Sequence, residues 1–300
     1  MTNKSSIYIM NQSHDQAKKI AIVTGSSSGI GFETSLLLAR NDYYTYATMR
    51  NIDKSSKIKD IAKQDNLPLE VLQLDVNNEK SVKDAFAKII EDKQRVDVLI
   101  NNAGYDVMGP VEELSLDDFK SQFETNFFGL IRVTKEVIPI MRSQNRGTIV
   151  NVSSVGGRIG FPLNSAYQSS KFALEGLSES MRYELEEFGI NIIIVEPGVI
   201  KTNFFENIKV NENSAKETSP YAPLMQKGYE GWKPMRESSS SSPLDVAEVI
   251  LKAVKSHNPE IRYLVGNDAV SLIENRKNMT DKEFENWIKE SLFEQKGFVR

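Results

Sequence analysis

Residues 19–31 read KIAIVTGSSSGIG, an apolar run that breaks into glycine and serine and resumes at Ile30. The run KIAIV shows no polar alternation, as a strand buried on both faces requires. A turn follows at Gly25, and a helix is expected to start near Ile30. Gly25 allows the tight turn, Gly29 lets a diphosphate approach the backbone, and Gly31 permits close packing of helix on sheet. Ser27, Ser28 and Ile30 complete the loop, where the unpaired N–H groups and positive dipole end of a helix favour an anion. The spacing G-x-x-x-G-x-G is a variant of a dinucleotide-binding fingerprint. No Lys-Ser or Lys-Thr follows the last glycine, so a P-loop is disfavoured.

The same rhythm continues along the chain. Apolar runs at 43–49, 68–74, 96–102, 147–154, 190–198 and 261–266 alternate with helical patterns at about 30–41, 53–66, 79–94, 115–142, 165–188 and 243–256. Ser242-Pro243-Leu244-Asp245 has the form of a capping box with proline at the first helical position. Repeated strand–helix alternation implies right-handed crossovers and a doubly wound parallel sheet. Residues 1–17 read as a flexible arm. Residues 203–242 break the rhythm and end in five serines, yet Phe204, Phe205, Tyr221, Met225, Tyr229 and Trp232 are too apolar for a solvated spacer. A lid beside an apolar pocket is the expectation. Residues 275–300 read as an additional C-terminal helix.

Composition narrows the function. The 300 residues carry 37 Lys and Arg against 41 Asp and Glu, a net charge of −4 that offers nucleic acid or an anionic membrane little attraction. There is no cysteine and there are two histidines, His14 and His257, which argues against thiolate chemistry, histidine metal sites and a Ser-His-Asp triad. No run reaches the ~20 apolar residues of a membrane span, and no secretory leader is evident. A cytoplasmic soluble protein is expected.

Tyr167 and Lys171, in AYQSSKFALEG (166–176), are spaced to share a helix face. A nearby ammonium favours a phenolate, so the pair could serve as an acid–base catalyst. Alone it is also an ordinary pattern of solvated helices. Taken in order, TGSSSGIG, NNAG at 101–104, Ser153-Ser154, Tyr167-x-x-x-Lys171 and Pro197-Gly198 resemble the short-chain dehydrogenase/reductase family over about residues 18–266.

That resemblance, which 203–242 and the last thirty residues do not share, implies a Rossmann-like fold with a seven-stranded parallel sheet between helical layers, using NAD(P) to interconvert a carbonyl and an alcohol; residues 18–300 are read as one such domain. Tyr167 would be the general acid or base, and Lys171 would lower its pKa and hold the nicotinamide ribose. Ser154 would bind the substrate oxygen, with Ser153 as the neighbouring alternative. Asn126 would order a proton-relay water, or simply be an exposed helical residue. Asp75, with Val76 beside it, would meet the adenine or else cap the next helix. Asn102, Ala103 and Gly104 would line the switch point, unless the asparagine only braces the strands there. Pro197, Gly198, Ile200 and Thr202 would lie along the carboxamide.

The second strand ends Met49-Arg50, where an NAD site usually has Asp or Glu. Arg50 could bind a 2′-phosphate, or be a solvated loop residue; Asp53 lies too far along for the acidic role unless an altered loop brings it in. NADP(H) is therefore favoured, with NAD(H) possible. The apolar faces of 115–142 and 165–188, with family habit, imply a homodimer or homotetramer. A silent dinucleotide sensor, and an isomerase or dehydratase on the same scaffold, remain open readings. No metal is implied.

Overall fold

The computed structural model describes residues 18–202, 204, 207–211, 214, 216–238 and 241–294. The arm expected over 1–17, with His14, lies outside the described residues, as do Phe205 and the last six positions.

Seven strands form one parallel sheet: β1 Lys19–Val23, β2 Tyr43–Met49, β3 Leu69–Gln73, β4 Val98–Asn101, β6 Gly147–Val152, β7 Ile190–Pro197 and β9 Arg262–Val265. Their order is β3-β2-β1-β4-β6-β7-β9. The chain winds outward from β1 in one direction and from β4 in the other. A crevice therefore opens beyond the C-terminal ends of β1 and β4, the position where ligands bind in such sheets.

Helices cover both faces. Ile20 and Ile22 of β1 point to one side and join α3 (Glu79–Lys93), α5 (Leu130–Gln144) and α6 (Ser165–Leu185) through Phe86, Val133 and Met181. Ala21 and Val23 point to the other and meet α1 (Gly29–Arg40) and α8 (Pro243–Lys255) through Leu38, Val246 and Ile250. Near β2 and β3, α2 (Ser56–Gln64) packs its Ile58 with Phe32 and Leu36 of α1. The two-residue alternation between two buried faces is why the strands read as unbroken apolar runs. Burying each Ile, Val, Leu, Phe or Met side chain among them is worth about 1.5–3 kcal/mol.

Three regions depart from the sequence reading. The helix expected over 115–142 is split into α4 (Leu116–Phe123), a π-helical turn at Glu124–Gly129, and α5. Gly129 sits in that turn because a Cβ there would meet Val76 Cγ2 at 2.8 Å. The 203–242 segment holds a helix, α7 (Ala222–Ser238), and a short strand, β8 (Lys209–Val210), paired in parallel with β5 (Val107–Met108). Its serine run is not a plain spacer: Ser242 caps α8 reciprocally with Asp245, and Ser241 is buried. Between β9 and the expected terminal helix lies α9 (Asn267–Asn278), and α10 (Asp281–Phe293) follows it. Leu272, Phe284, Trp287 and Leu292 of these helices form a separate core with Val155, Ile159 and Phe161, against which Trp232 and Met235 of α7 pack. No described helix is long and apolar enough to cross a membrane.

Candidate active site

The glycine loop forms one end of a cleft of about 1060 Å³. Gly25 and Gly29 adopt φ of +70° and +60°, the left-handed region that favours glycine. A Cβ on Gly31 would strike Asn102 Nδ2 and Gly25 O at 2.5 Å, so the helix could not come so close to the loop with any other residue. Asn102 Nδ2 donates to Thr24 O at 2.9 Å and Gly25 O at 3.2 Å, while Thr24 Oγ1 accepts from the Asn102 and Ala103 amides. The Asn102 side chain is thus a brace for the loop, and Ala103 and Gly104 line the cleft beside it. Ser28 is the N-cap of α1, yet its side chain makes no capping bond. The first-turn amides are left for an anion, and this glycine cradle fits a dinucleotide diphosphate.

At the β2 end the cleft is lined by Met49, Arg50, Lys54, Asp75 and Val76. Met49 turns inward and packs with Phe32, Leu36 and Ile58, which leaves exposed Arg50 as the side chain at this edge. Lys54, one turn further along a short 3-10 helix (Ile52–Ser55), adds a second cation that sequence reasoning missed; its only signal was the spacing from Arg50. Asp53 does not line the cleft. Asp75 Oδ1 accepts from Asn77 N at 3.0 Å, and the cap of α3 is Asn78, which accepts from Ser81 N. The capping alternative for Asp75 is therefore set aside.

The floor of the cleft gathers Ser154, Tyr167 and Lys171. The Ser154 hydroxyl stands by the phenol and favours its ionised form, whereas Ser153 is buried and lies next to Glu175. Burial, followed by the negative charge of Asp106, pushes the Tyr167 phenol up from its ordinary value. Lys171 is buried, and loss of hydration pulls its ammonium down to about 8, against the opposing pull of Glu175 and Asp106. Its Nζ lies 5.7 Å from the Tyr167 ring centroid and donates to Val152 O. The expected net lowering of the phenol is not found, because burial outweighs the groups around it that favour the phenolate. Asn126 is buried, not exposed. The π turn aims it at the NNAG loop, where Oδ1 accepts from Tyr105 N and Nδ2 donates to Tyr105 O at 2.9 Å and Ser170 Oγ at 3.4 Å.

A model of the short chain dehydrogenase family matches residues 19–213, the span that carries the loop, the switch point and the Ser-Tyr-Lys floor. This chain belongs to the short-chain dehydrogenase family. The uncharacterized oxidoreductase YusZ of Bacillus subtilis is 37% identical over 92% of this chain and 99% of its own. A 3-ketodihydrosphingosine reductase of Bacteroides thetaiotaomicron is 35% identical over 83% and 88%. The solved structure of ElxO with NADP bound is 30% identical, covers 85% of this chain and 99% of its own, and superposes with a TM-score of 0.69.

The remaining wall of this dehydrogenase comes largely from outside its sequence motifs. Pro197 at the end of β7, with Gly198, Ile200 and Thr202 after it, lines the cleft, and Thr202 Cγ2 comes within 3.5 Å of where a Gly29 Cβ would stand. The strand-end loop and the glycine loop thus face each other. Asp268, in the first turn of α9, accepts from Val199 N at 2.6 Å and holds this loop; nothing in the sequence marked it. Phe161, Phe204, Trp232, Tyr229, Met108 and Leu272 make the outer part apolar, with Phe161 edge-on to Trp232 and Tyr167 edge-on to Phe204.

Proposed function

We propose that this oxidoreductase interconverts an apolar ketone or aldehyde and its alcohol with NADP(H), using Tyr167 as the general acid and base. The cleft joins a diphosphate cradle to a half-buried phenol within one continuous wall, and this juxtaposition is the observation that carries the reading. The bound nicotinamide would supply or accept the hydride. In reduction, Tyr167 Oη passes its proton to the carbonyl oxygen as charge develops there, and the Ser154 hydroxyl donates a hydrogen bond to the same oxygen. Lys171 holds the ribose and stabilises the phenolate left behind. Asn126, fixed beside Ser170, orders the water that returns the proton.

Arg50 and Lys54 at the β2 edge favour a 2′-phosphate, and NAD(H) remains usable because neither cation repels it. The apolar outer wall fits a lipid-like or cyclic substrate, in keeping with the 3-ketodihydrosphingosine named for one relative. The 203–242 segment acts as a lid over it. Two-fold pairing through α5 and α6 gives a homodimer or homotetramer: Phe128, Phe172 and Tyr183 on this side are 48%, 47% and 79% exposed.

The test is Tyr167→Phe, assayed by the absorbance of reduced nicotinamide against a panel of apolar ketones. A fall in kcat of about 10²–10⁴-fold, with cofactor affinity within a few-fold, is expected. Turnover near wild type would overturn the assignment. Binding without net turnover in the wild type would mean a sensor or an isomerase.

A further inference from the structure

Asp106 stands directly before β5, 3% exposed, among the groups of the reaction centre, and the chemistry above gives it no part. Its position is fixed from several sides. The Asp106 carbonyl accepts from Lys209 N of β8 at 2.9 Å, and the next amide, Val107 N, donates to Gln122 Oε1 of α4 at 2.7 Å. The Asn164 side chain stands beside the carboxyl and favours its charged form, and Asn164 is the N-cap residue of α6. Leu163, just before it, is held at φ +68°, a costly conformation for a branched residue, while its carbonyl accepts from Gly109 N at 2.8 Å. The β5 segment and the start of α6 are therefore tied by the Gly109–Leu163 bond and meet again at Asp106 and Asn164, within one helical turn of Tyr167.

Asp106 Oδ1 and Asn164 Oδ1 have no hydrogen-bond partner and no contact with solvent. A buried, half-satisfied carboxyl is costly to stability, and its main effect on the neighbours is its charge. The ionisable groups around it are Tyr167 and Lys171 of α6, with Tyr105 and the Lys209 ammonium stacked on that ring beside it.

We propose that Asp106 is a positioning residue acting through Tyr167: its charge at the first turn of α6 opposes phenolate formation and moves the pH profile of catalysis to higher pH. The proposal rests on Tyr167 being the acid–base group. Oxidation needs the phenolate and reduction the phenol, so both limbs move together and the reaction equilibrium is untouched. Burial pushes the Asp106 carboxyl up to about 7, against the pull of Asn164 and Lys171. Its influence on Tyr167 should therefore be present above about pH 7 and fade below it.

The experiment compares wild type, Asp106→Asn, Tyr167→Phe and the double variant, each saturated with NADP⁺, by ultraviolet titration of tyrosinate. Subtracting the matching Tyr167→Phe trace isolates Tyr167 among the 10 tyrosines. Asn keeps the shape and can still bond Asn164. Its Tyr167 midpoint is expected about one pH unit lower. The kcat profile for oxidation of a long-chain secondary alcohol should shift equally and merge with wild type below about pH 7. An unmoved midpoint in a folded Asp106→Asn protein overturns the proposal, as does a change in KM alone, which would make Asp106 a substrate contact. Neither result touches the Tyr167 assignment, which falls only if Tyr167→Phe remains active.

Discussion

Lys171 Nζ lies 2.8 Å from the carbonyl oxygen of Val152, at the end of β6, and donates its hydrogen bond there. The bond ties the helix carrying Tyr167 and Lys171 to the central sheet and holds the ammonium at the cleft floor. Lys171→Met should weaken NADPH binding about tenfold and lower kcat by at least ~10²-fold, since a buried charge-assisted contact and phenolate stabilisation are lost together. Fluorescence titration with NADPH and steady-state kinetics separate the two effects. A change in only one would show that the lysine has a single role.

Cofactor choice should reside in Arg50, with help from Lys54. A charge-assisted contact of about 1.5–3 kcal/mol corresponds to a roughly 10- to 150-fold preference for NADPH over NADH. Arg50→Ala should remove most of that ratio and Lys54→Ala a smaller part. Arg50→Asp should reverse it. Met49→Asp is the wrong reversal, because Met49 packs with Phe32, Leu36 and Ile58 and a carboxylate there would be buried without a partner. Equal kcat/KM for the two cofactors in the wild type would end this claim.

The C-terminal helices should act as a brace for the substrate wall. Trp287 is buried in the cluster that supports Trp232 and Phe161. Trp287→Ala should cost about 3–5 kcal/mol by cavity formation. A urea melt measures that loss. The same variant should raise KM for an apolar ketone and hasten protease cleavage within 203–242, whereas cofactor plus substrate should slow cleavage in the wild type. Cleavage indifferent to ligands would argue against a lid.

Stability should fall as pH rises from about 4 to about 7. Burial raises the Asp106 and Glu196 carboxyls to about 7, so the folded protein binds protons that the unfolded chain has already released. Folding is favoured by these groups at the acid end of that window, and the benefit is lost as pH passes their folded values. Glu196 is held by Arg262 and Arg158, which limits the shift. Lys171 acts in a separate window: its lowered folded value adds stability above its unfolded range near 10.5 and loses it as pH falls toward 8. Melting temperature against pH checks the sign, and Asp106→Asn should flatten the slope between about 4 and 7. A flat wild-type curve there would contradict it.

Strand and helix positions in the sheet were legible because each buried strand carries its own apolar run and each helix its own period. Ser242 and Asp245 show how local such signals are, since the reciprocal cap involves residues three apart. The break of 115–142 into a π turn was not legible. It depends on Gly129 meeting Val76, a residue from the loop after β3, and no local pattern reports that contact. Helix α7 was obscured by proline, glycine and serine, and its apolar side chains Trp232 and Met235 find partners in the cluster shared by the Phe161 loop, α9 and α10.

The sequence by itself determined the glycine cradle, the doubly wound sheet and the pairing of Tyr167 with Lys171, because backbone freedom, burial period and helical spacing are properties of neighbouring residues. Tertiary structure decided what those parts meet. It turned Met49 inward and left Arg50 and Lys54 at the β2 edge of the cleft; it committed the Asn102 amide to the loop and buried Asn126 in a π turn. It also brought Asp106 and Asp268, which lie far from Tyr167 in the chain and on opposite sides of it, to the same cleft. Charges from distant segments become strong only where folding removes the water between them, and that removal is a property of the packed molecule alone.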